Sequence, residues 1–183
     1  MDKAIKFETA PGRGYDKKQV DSLLESAKRQ YENPDQVLLR ASDLRGLRLD
    51  LVKGGYLISQ VDAALDNLED HFSLTEVIAF KKRYGEQELA KRYSELKDAL
   101  SPRLKKAKSK RFAKVSFLAR GYDKKKVDAL CDRLVSHFDG KAKIKVSEIR
   151  RVQFSSKRSG YSMPQVDSFL DRVIEALQLE ISE

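Results

Sequence analysis

The chain has 183 residues, 40% of them hydrophobic and 36% charged, with a net charge of +9. That balance suits a soluble, helix-rich, highly solvated protein and points away from a thick-cored enzyme. No apolar run approaches the ~18 residues of a membrane span, the Met1-Asp2-Lys3 start has no apolar signal-peptide core, and a lone cysteine, Cys131, excludes an internal disulfide.

Residues 1–13 read as a lead-in, with Phe7 as an apolar anchor and Pro11-Gly12 as a turn. Gly14-Tyr15 then leads through four residues to Val20-Asp21. The same string recurs as Gly55-Tyr56 to Val61-Asp62, Gly121-Tyr122 to Val127-Asp128 and Gly160-Tyr161 to Val166-Asp167. A string repeated within one chain marks a repeated structural unit. Each copy reads as a helix start. Asp16 with Gln19, and Ser162 with Gln165, make capping boxes; Asp123 is a cap without the Gln. Leu57 caps nothing, so the second copy is expected to start weakly or as late as Ser59. Pro164 sits in a first turn, where its missing N–H is harmless. The Tyr before the cap and the Val four residues after it are placed as a hydrophobic staple. The Gly suits a sharp chain reversal, with φ > 0 as one way to make it.

After each Val the apolar residues keep helical spacing: Val20, Leu23, Leu24, Ala27 and Tyr31; Val61, Ala64, Leu65, Leu68 and Phe72; Val127, Leu130, Cys131, Leu134 and Phe138; Val166, Phe169, Leu170, Val173 and Leu177. Each is an amphipathic helix with one buried face. Cys131 falls where the other copies have Leu, so it reads as a buried helix residue and not as a nucleophile. His71 and His137 read as surface or helix-end residues.

Asn33-Pro34 ends the first helix. Ser42-Asp43-Leu44-Arg45 and Ser147-Glu148-Ile149-Arg150 each predict a Ser-capped helical turn. Each turn feeds an apolar anchor, Leu49 or Phe154, expected to fold back under the Gly-Tyr turn. Ser73-Leu74-Thr75-Glu76 is a further capping box, predicting a connecting helix in which Gly85 marks a kink or break and which Ser101-Pro102 ends. Arg103 to Arg111 reads as a basic linker. No strand-like alternation of useful length occurs. An isolated helix of about 12–15 residues is marginal in water, so each stripe needs a partner, most simply the other copy of its pair. The expected fold is all-α: four helix-turn-helix-like repeats in two pseudo-symmetric pairs, packed as a helical bundle or short coiled coil and joined by a helix and basic linker. The boundaries are 1–73 for the first pair (copies at 7–33 and 42–72), 74–111 for the connector, and 112–183 for the second pair (copies at 112–138 and 147–181).

Residues 101–126 hold 11 Lys or Arg and one acid, so the basic character belongs to one segment. Lys105, Lys106, Lys108, Lys110, Arg111, Lys114, Phe117, Leu118 and Arg120 make the candidate membrane or anion-binding set, since several cations near an anionic leaflet dock a protein weakly. The competing reading is a solvated linker in which Val115 or Phe117 anchors the third copy. On the repeat helices, Asp21 with Glu25, Asp62 with Asp66, Asp128 with Asp132 and Asp167 with Asp171 each share a face. They suit an acidic groove for an Arg-bearing peptide; the alternative is an internal ion pair, for instance with Arg45 or Arg150. No metal-ligand spacing, phosphate-cradling loop or nucleophile–base pattern is present, so a non-enzymatic protein without cofactor or metal is expected.

Arg120-Gly121-Tyr122-Asp123, Arg13-Gly14-Tyr15-Asp16 and, most closely, Ile149-Arg150, Phe154 and Val166-Asp167-Ser168-Phe169-Leu170-Asp171 resemble the N-terminal domain of the DivIVA/GpsB family of bacterial cell-division proteins. The resemblance covers about two-thirds of the chain. It implies a scaffold in cell division or polar growth, cytoplasmic and peripheral at the septum or cell pole, with homodimers possible. In that family a groove beside the Tyr and the two acids receives Arg-containing tails of wall-synthesis proteins, which adds Tyr15, Tyr56, Tyr122 and Tyr161 to the partner-binding set. A loop beside the Arg-Gly-Tyr turn dips an apolar side chain into the membrane; here the residue before the Arg is Gly12 or Ala119. The runner-up reading is a basic adaptor binding anionic membrane or nucleic acid through 103–126.

Overall fold

A computed structural model describes residues 6–33 and 36–180; Pro34, residues 1–5 of the lead-in and the end of the fourth copy lie outside them. The fold is all-α, a multi-helix arrangement with short ribbons. It divides into two units, Met1–Glu76 and Val77–Glu183.

In the first unit β1 (Arg13–Tyr15) leads into α1 (Lys17–Glu32), then α2 (Ala41–Arg45), β2 (Leu51–Lys53) and α3 (Ile58–Tyr84), whose later turns belong to the second unit. β1 pairs antiparallel with β2, Gly14 opposite Val52. The second unit continues with α4 (Glu86–Leu104), β3 (Arg120–Tyr122), α5 (Lys124–Phe138), α6 (Val146–Arg150), β4 (Ser156–Arg158) and α7 (Met163–Glu180). β3 pairs antiparallel with β4, Gly121 opposite Lys157. These three-residue strands were not expected, because they are too short to show alternation.

The ribbons extend into a direct pairing of Gly-Tyr strings. Tyr15 and Tyr56 exchange backbone hydrogen bonds of 3.0 and 2.8 Å, and Tyr122 and Tyr161 do so at 3.0 and 2.9 Å. The glycines are needed for this approach and not for φ: a Cβ on Gly14 would collide with the Tyr56 carbonyl oxygen, and one on Gly121 with that of Tyr161. Positive φ falls instead on Gly54, Gly85 and Gly140. The pairing buries Val20, Val61, Val127 and Val166.

Several local expectations change. α3 starts at Ile58, in the same register as the other copies, and not at Ser59. The box at 73–76 lies inside α3: Thr75 Oγ1 donates back to the His71 carbonyl (2.9 Å), and Glu76 accepts the Ala41 N–H (3.1 Å). Gly85, at φ 88°, makes the break before α4. α4 runs through Pro102 to Leu104, which is buried in the core. Proline near a helix end forfeits one hydrogen bond, and burial of Leu104 outweighs that. Ahead of α2 and α6 the cap acts in reverse: Asp43 accepts the Arg40 N–H (2.9 Å) and Glu148 the Lys145 N–H (3.2 Å), and the serines are not the capping residues.

The second unit has the deeper core. Leu100 and Leu104 of α4 join Phe112, Leu130, Cys131 and Leu134 with Phe169, Val173 and Leu177 of α7. Burial pushes the Cys131 thiol up to about 11, so it stays an inert core residue. His137 is buried and not a surface residue: Nδ1 accepts the Ile144 N–H (3.2 Å), and Nε2 lies 2.7 Å from Glu180 Oε2. The first unit's core cluster is smaller, Ala27, Ala41, Leu44 and Phe72, with half-buried Leu23, Leu65 and Leu68 packed against it.

Candidate functional site: a cradle of tyrosine and carboxylates

The Gly-Tyr pairing decides where the tyrosines point. Each hydroxyl meets the aspartate of the other copy, not its own. Tyr56 donates to Asp21 Oδ1 (3.1 Å) and Tyr161 to Asp128 Oδ1 (2.9 Å). Tyr15 and Tyr122 are hydrogen-bonded to Asp62 and Asp167. Burial, then donation to the carboxylate, raises all four phenols, with Tyr161 pushed up to about 12. The neutral phenol is therefore the working form. Aromatic anchors cross over as well. Phe7 lies on Tyr56 (5.2 Å between ring centres), Phe112 on Tyr161 (5.2 Å) and Phe154 on Tyr122 (5.1 Å). Phe154 thus folds under the sibling copy's turn, and Phe112 is the anchor in the third copy where Val115 or Phe117 was the candidate.

At Tyr161 the cradle is filled from within the chain. Arg111 Nη1 donates to the Asp128 carbonyl (2.7 Å) and lies 3.8 Å from its carboxylate; Nη2 donates to Asp132 Oδ1 (2.6 Å). Its backbone N–H reaches the Tyr161 hydroxyl (3.3 Å), and its Nε donates to the Lys106 carbonyl (3.2 Å). Ser109, at φ 65°, donates its N–H to Asp128 Oδ2 (2.8 Å). Lys108 adds an ion pair to Asp132 (3.0 Å). Arg103 lies 4.8 Å over the Phe112 ring. Arg111, 6% exposed, therefore leaves the exposed basic set in which the sequence placed it. Desolvation is the largest single effect and works against its charge, but the bond to Asp132 and the surrounding negative charges of Asp132 and Asp128 together outweigh it and its pKa is raised; Arg111 in turn holds Asp132 below the usual carboxylate value. The internal ion pair entertained for these aspartates forms here with Arg111 as its cation, and Arg45 donates to Glu69 (2.9 Å).

At Tyr56 the same constellation is assembled and exposed. Asp21 accepts from Tyr56, Glu25 stands one turn on, and neither makes an ion pair among the described residues. Lys6 stands where Arg111 does in register and is exposed. Lys17 Nζ lies 5.2 Å over the Tyr56 ring and donates to Thr9 (2.8 Å). Asp62 and Asp167 are exposed, as is Asp171; Asp66 is half-buried.

Sequence reasoning missed the glutamines. Gln19 does not close its box but bonds Asp50 through both ends of its amide (2.8 and 2.9 Å); Gln60 accepts the Glu8 N–H (2.8 Å) and Gln165 that of Ala113 (3.0 Å). Each ties one copy to the strand entering its sibling, and their shared position two residues before the Asp was the available signal.

The remaining basic residues, Lys105, Lys106, Lys108, Lys110, Lys114 and Arg120, are exposed. Phe117 and Leu118 are 72% and 74% exposed, on a turn closed by the Ala119 N–H to the Ser116 carbonyl (2.9 Å). Among the described residues no helix is long and apolar enough to cross a membrane, and no group of His, Cys, Asp and Glu side chains is placed to hold a metal ion. Comparison with protein-family models, with curated proteins and with solved structures found no match.

Proposed function

We propose that this chain is a non-enzymatic scaffold of the DivIVA/GpsB type, acting in bacterial cell division or polar growth. In this reading it is built as two pseudo-symmetric pairs of the Gly-Tyr repeat, and the Tyr56–Asp21–Glu25 cradle captures an arginine-bearing tail of a partner protein. The observation that carries it is Arg111. A guanidinium already sits in the equivalent cradle, on one carbonyl, one carboxylate and a tyrosine-bound aspartate. A planar guanidinium presents its donors in a fixed fork that matches two acceptors side by side, whereas a lysine ammonium is a compact point charge without that geometry. Among the described residues, Lys6 at the matching position makes no ion pair with Asp21 or Glu25.

The test is a labelled peptide of residues 105–111, Lys-Lys-Ala-Lys-Ser-Lys-Arg, titrated onto the full chain. Asp21→Asn with Glu25→Gln should weaken binding at least about tenfold, as loss of charge-assisted bonds implies. Replacing the peptide's Arg with Lys, at constant charge, should weaken it similarly. Equal binding in both comparisons would sink the reading.

A second reading rests on Phe117 and Leu118. Two large apolar side chains on a tight turn, beside Lys114 and Arg120, suit shallow insertion into an anionic lipid surface. Burying each is worth about 1.5–3 kcal/mol, and each nearby cation up to about 1 kcal/mol. Phe117→Ser with Leu118→Ser should abolish co-sedimentation with phosphatidylserine vesicles while leaving the circular dichroism spectrum unchanged. Undiminished sedimentation would remove the turn from the contact. Nucleic acid is the weaker occupant of this segment, because Arg103 and Arg111 turn inward and interrupt the basic run.

A further inference from the structure

In the second unit the arginine does not arrive alone. α4 lies along α7, with Arg92 bonded to Glu175 (2.9 Å) and Leu100 and Leu104 in the core beside Phe169 and Val173. The chain then turns through Lys106 and enters the cradle at Arg111, seven residues after Leu104. Helix, turn and arginine form one continuous filling of the α5–α7 face.

The first unit has the cradle, but among its described residues no helix lies over the matching face. In the register of the repeats, Ala64 stands where Phe169 stands and Leu68 where Val173 stands. Val173 is fully buried, whereas Leu68 remains half-exposed. Here an open groove of about 490 Å³ is lined by Lys6, Phe7, Gln60, Ala63, Ala64, Asn67 and Leu68. It is continuous with the cradle, because the Phe7 ring lies on Tyr56. Phe7 already fills the place of Phe112, so an incoming chain needs nothing beyond its arginine. Ala64 leaves room for a bulky side chain from outside.

We infer that the first unit's ligand is an amphipathic helix of a partner protein, with leucine-sized residues at i, i+4 and i+8, followed by a turn that delivers an arginine to Tyr56, Asp21 and Glu25. The inference rests on the arginine-cradle reading above and adds the helix. Leu96, Leu100 and Leu104 followed by Arg111 show the required spacing within this chain.

The probe is a peptide of residues 93–111, compared with residues 105–111 on the full-length ¹⁵N-labelled chain. The longer peptide should bind about tenfold more tightly, the equivalent of one or two additional buried leucines partly offset by helix ordering. It should perturb the amides of Ala63, Ala64 and Asn67. Ala64→Phe, which fills the groove, should erase the tenfold gain and leave the short peptide's affinity intact. Asn67→Arg, on the exposed rim with no core role, should do the same if Ala64→Phe fails to fold. If the long peptide binds no tighter than the short one, the helix is overturned and the arginine cradle stands. If its perturbations fall on α7, the peptide is displacing the chain's own α4 and the inference is overturned. If neither peptide binds, the cradle reading falls and the inference with it.

Discussion

Gly160→Ala should destabilise the second unit by about 3 kcal/mol or more, at or beyond the upper end of ordinary overpacking. A Cβ at this position would stand 2.5 Å from the Gly121 carbonyl carbon, 2.5 Å from its oxygen and 2.6 Å from the Tyr122 oxygen. All three are backbone atoms held in a paired ribbon, so no side chain can swing aside. Relief requires the ribbon to part, which gives up the reciprocal Tyr122–Tyr161 bonds and uncovers Tyr161, fully buried in the core. Gly12→Ala is the control, because nothing lies within 4 Å of its Cβ and its φ is ordinary. Urea denaturation followed by resolved probes in each unit would separate them. A Gly160→Ala transition within about 1 kcal/mol of the parent would mean that the ribbon does not hold the copies together.

Asp128→Ala and Asp21→Ala should diverge although the two aspartates occupy the same repeat position. Asp128 is 4% exposed and serves the Tyr161 hydroxyl, the Ser109 N–H and the Arg111 guanidinium. Its removal strands a buried hydroxyl and weakens the anchorage of a buried cation, at about 3 kcal/mol. Asp21 is exposed and accepts one hydrogen bond, so its loss should stay within about 0.5 kcal/mol. The acid limb offers a second check. Asp132 is held below its ordinary value, first by Arg111, and Asp123 first by Lys157. A depressed folded-state pKa gives stability that is present above the unfolded value near 4 and is lost as pH falls through the folded value. Arg111→Met should therefore flatten the decline of second-unit stability below about pH 4. Equal destabilisation by the two alanine variants, or an unchanged acid limb, would remove Arg111 and Asp128 as a buried unit.

The helices were legible because their signals are local. Val20, Val61, Val127 and Val166 all mark a buried stripe, and Gly85 makes the expected break. What stayed hidden depends on residues far apart in sequence. The strands are three residues each and are fixed by the mutual approach of two glycines, which leaves no alternation to read. The box at 73–76 has the composition of a helix start but sits inside α3, where Glu76 serves a different helix. The cradle residues were all named, but in the wrong grouping, because a Tyr and an Asp six residues apart look local while the real bonds cross between copies. Arg111 was indistinguishable from its basic neighbours by composition. Its signal was the phenylalanine after it, which repeats the Lys6-Phe7 order of the first unit.

Because each tyrosine answers to the aspartate of its sibling, a pair of copies is what two separate single-copy chains would have to assemble by association. A symmetric dimer of identical chains presents every cleft twice and can alter neither alone. Joining the copies covalently replaces encounter with a fixed effective concentration and frees each half to specialise. One cleft has become a structural joint sealed by Arg111, and its counterpart at Tyr56 has kept an accessible acidic face. With Arg111 in one unit and Lys6 at the matching position of the other, the same Gly-Tyr string goes with a sealed joint in the second unit and an exposed acidic face in the first.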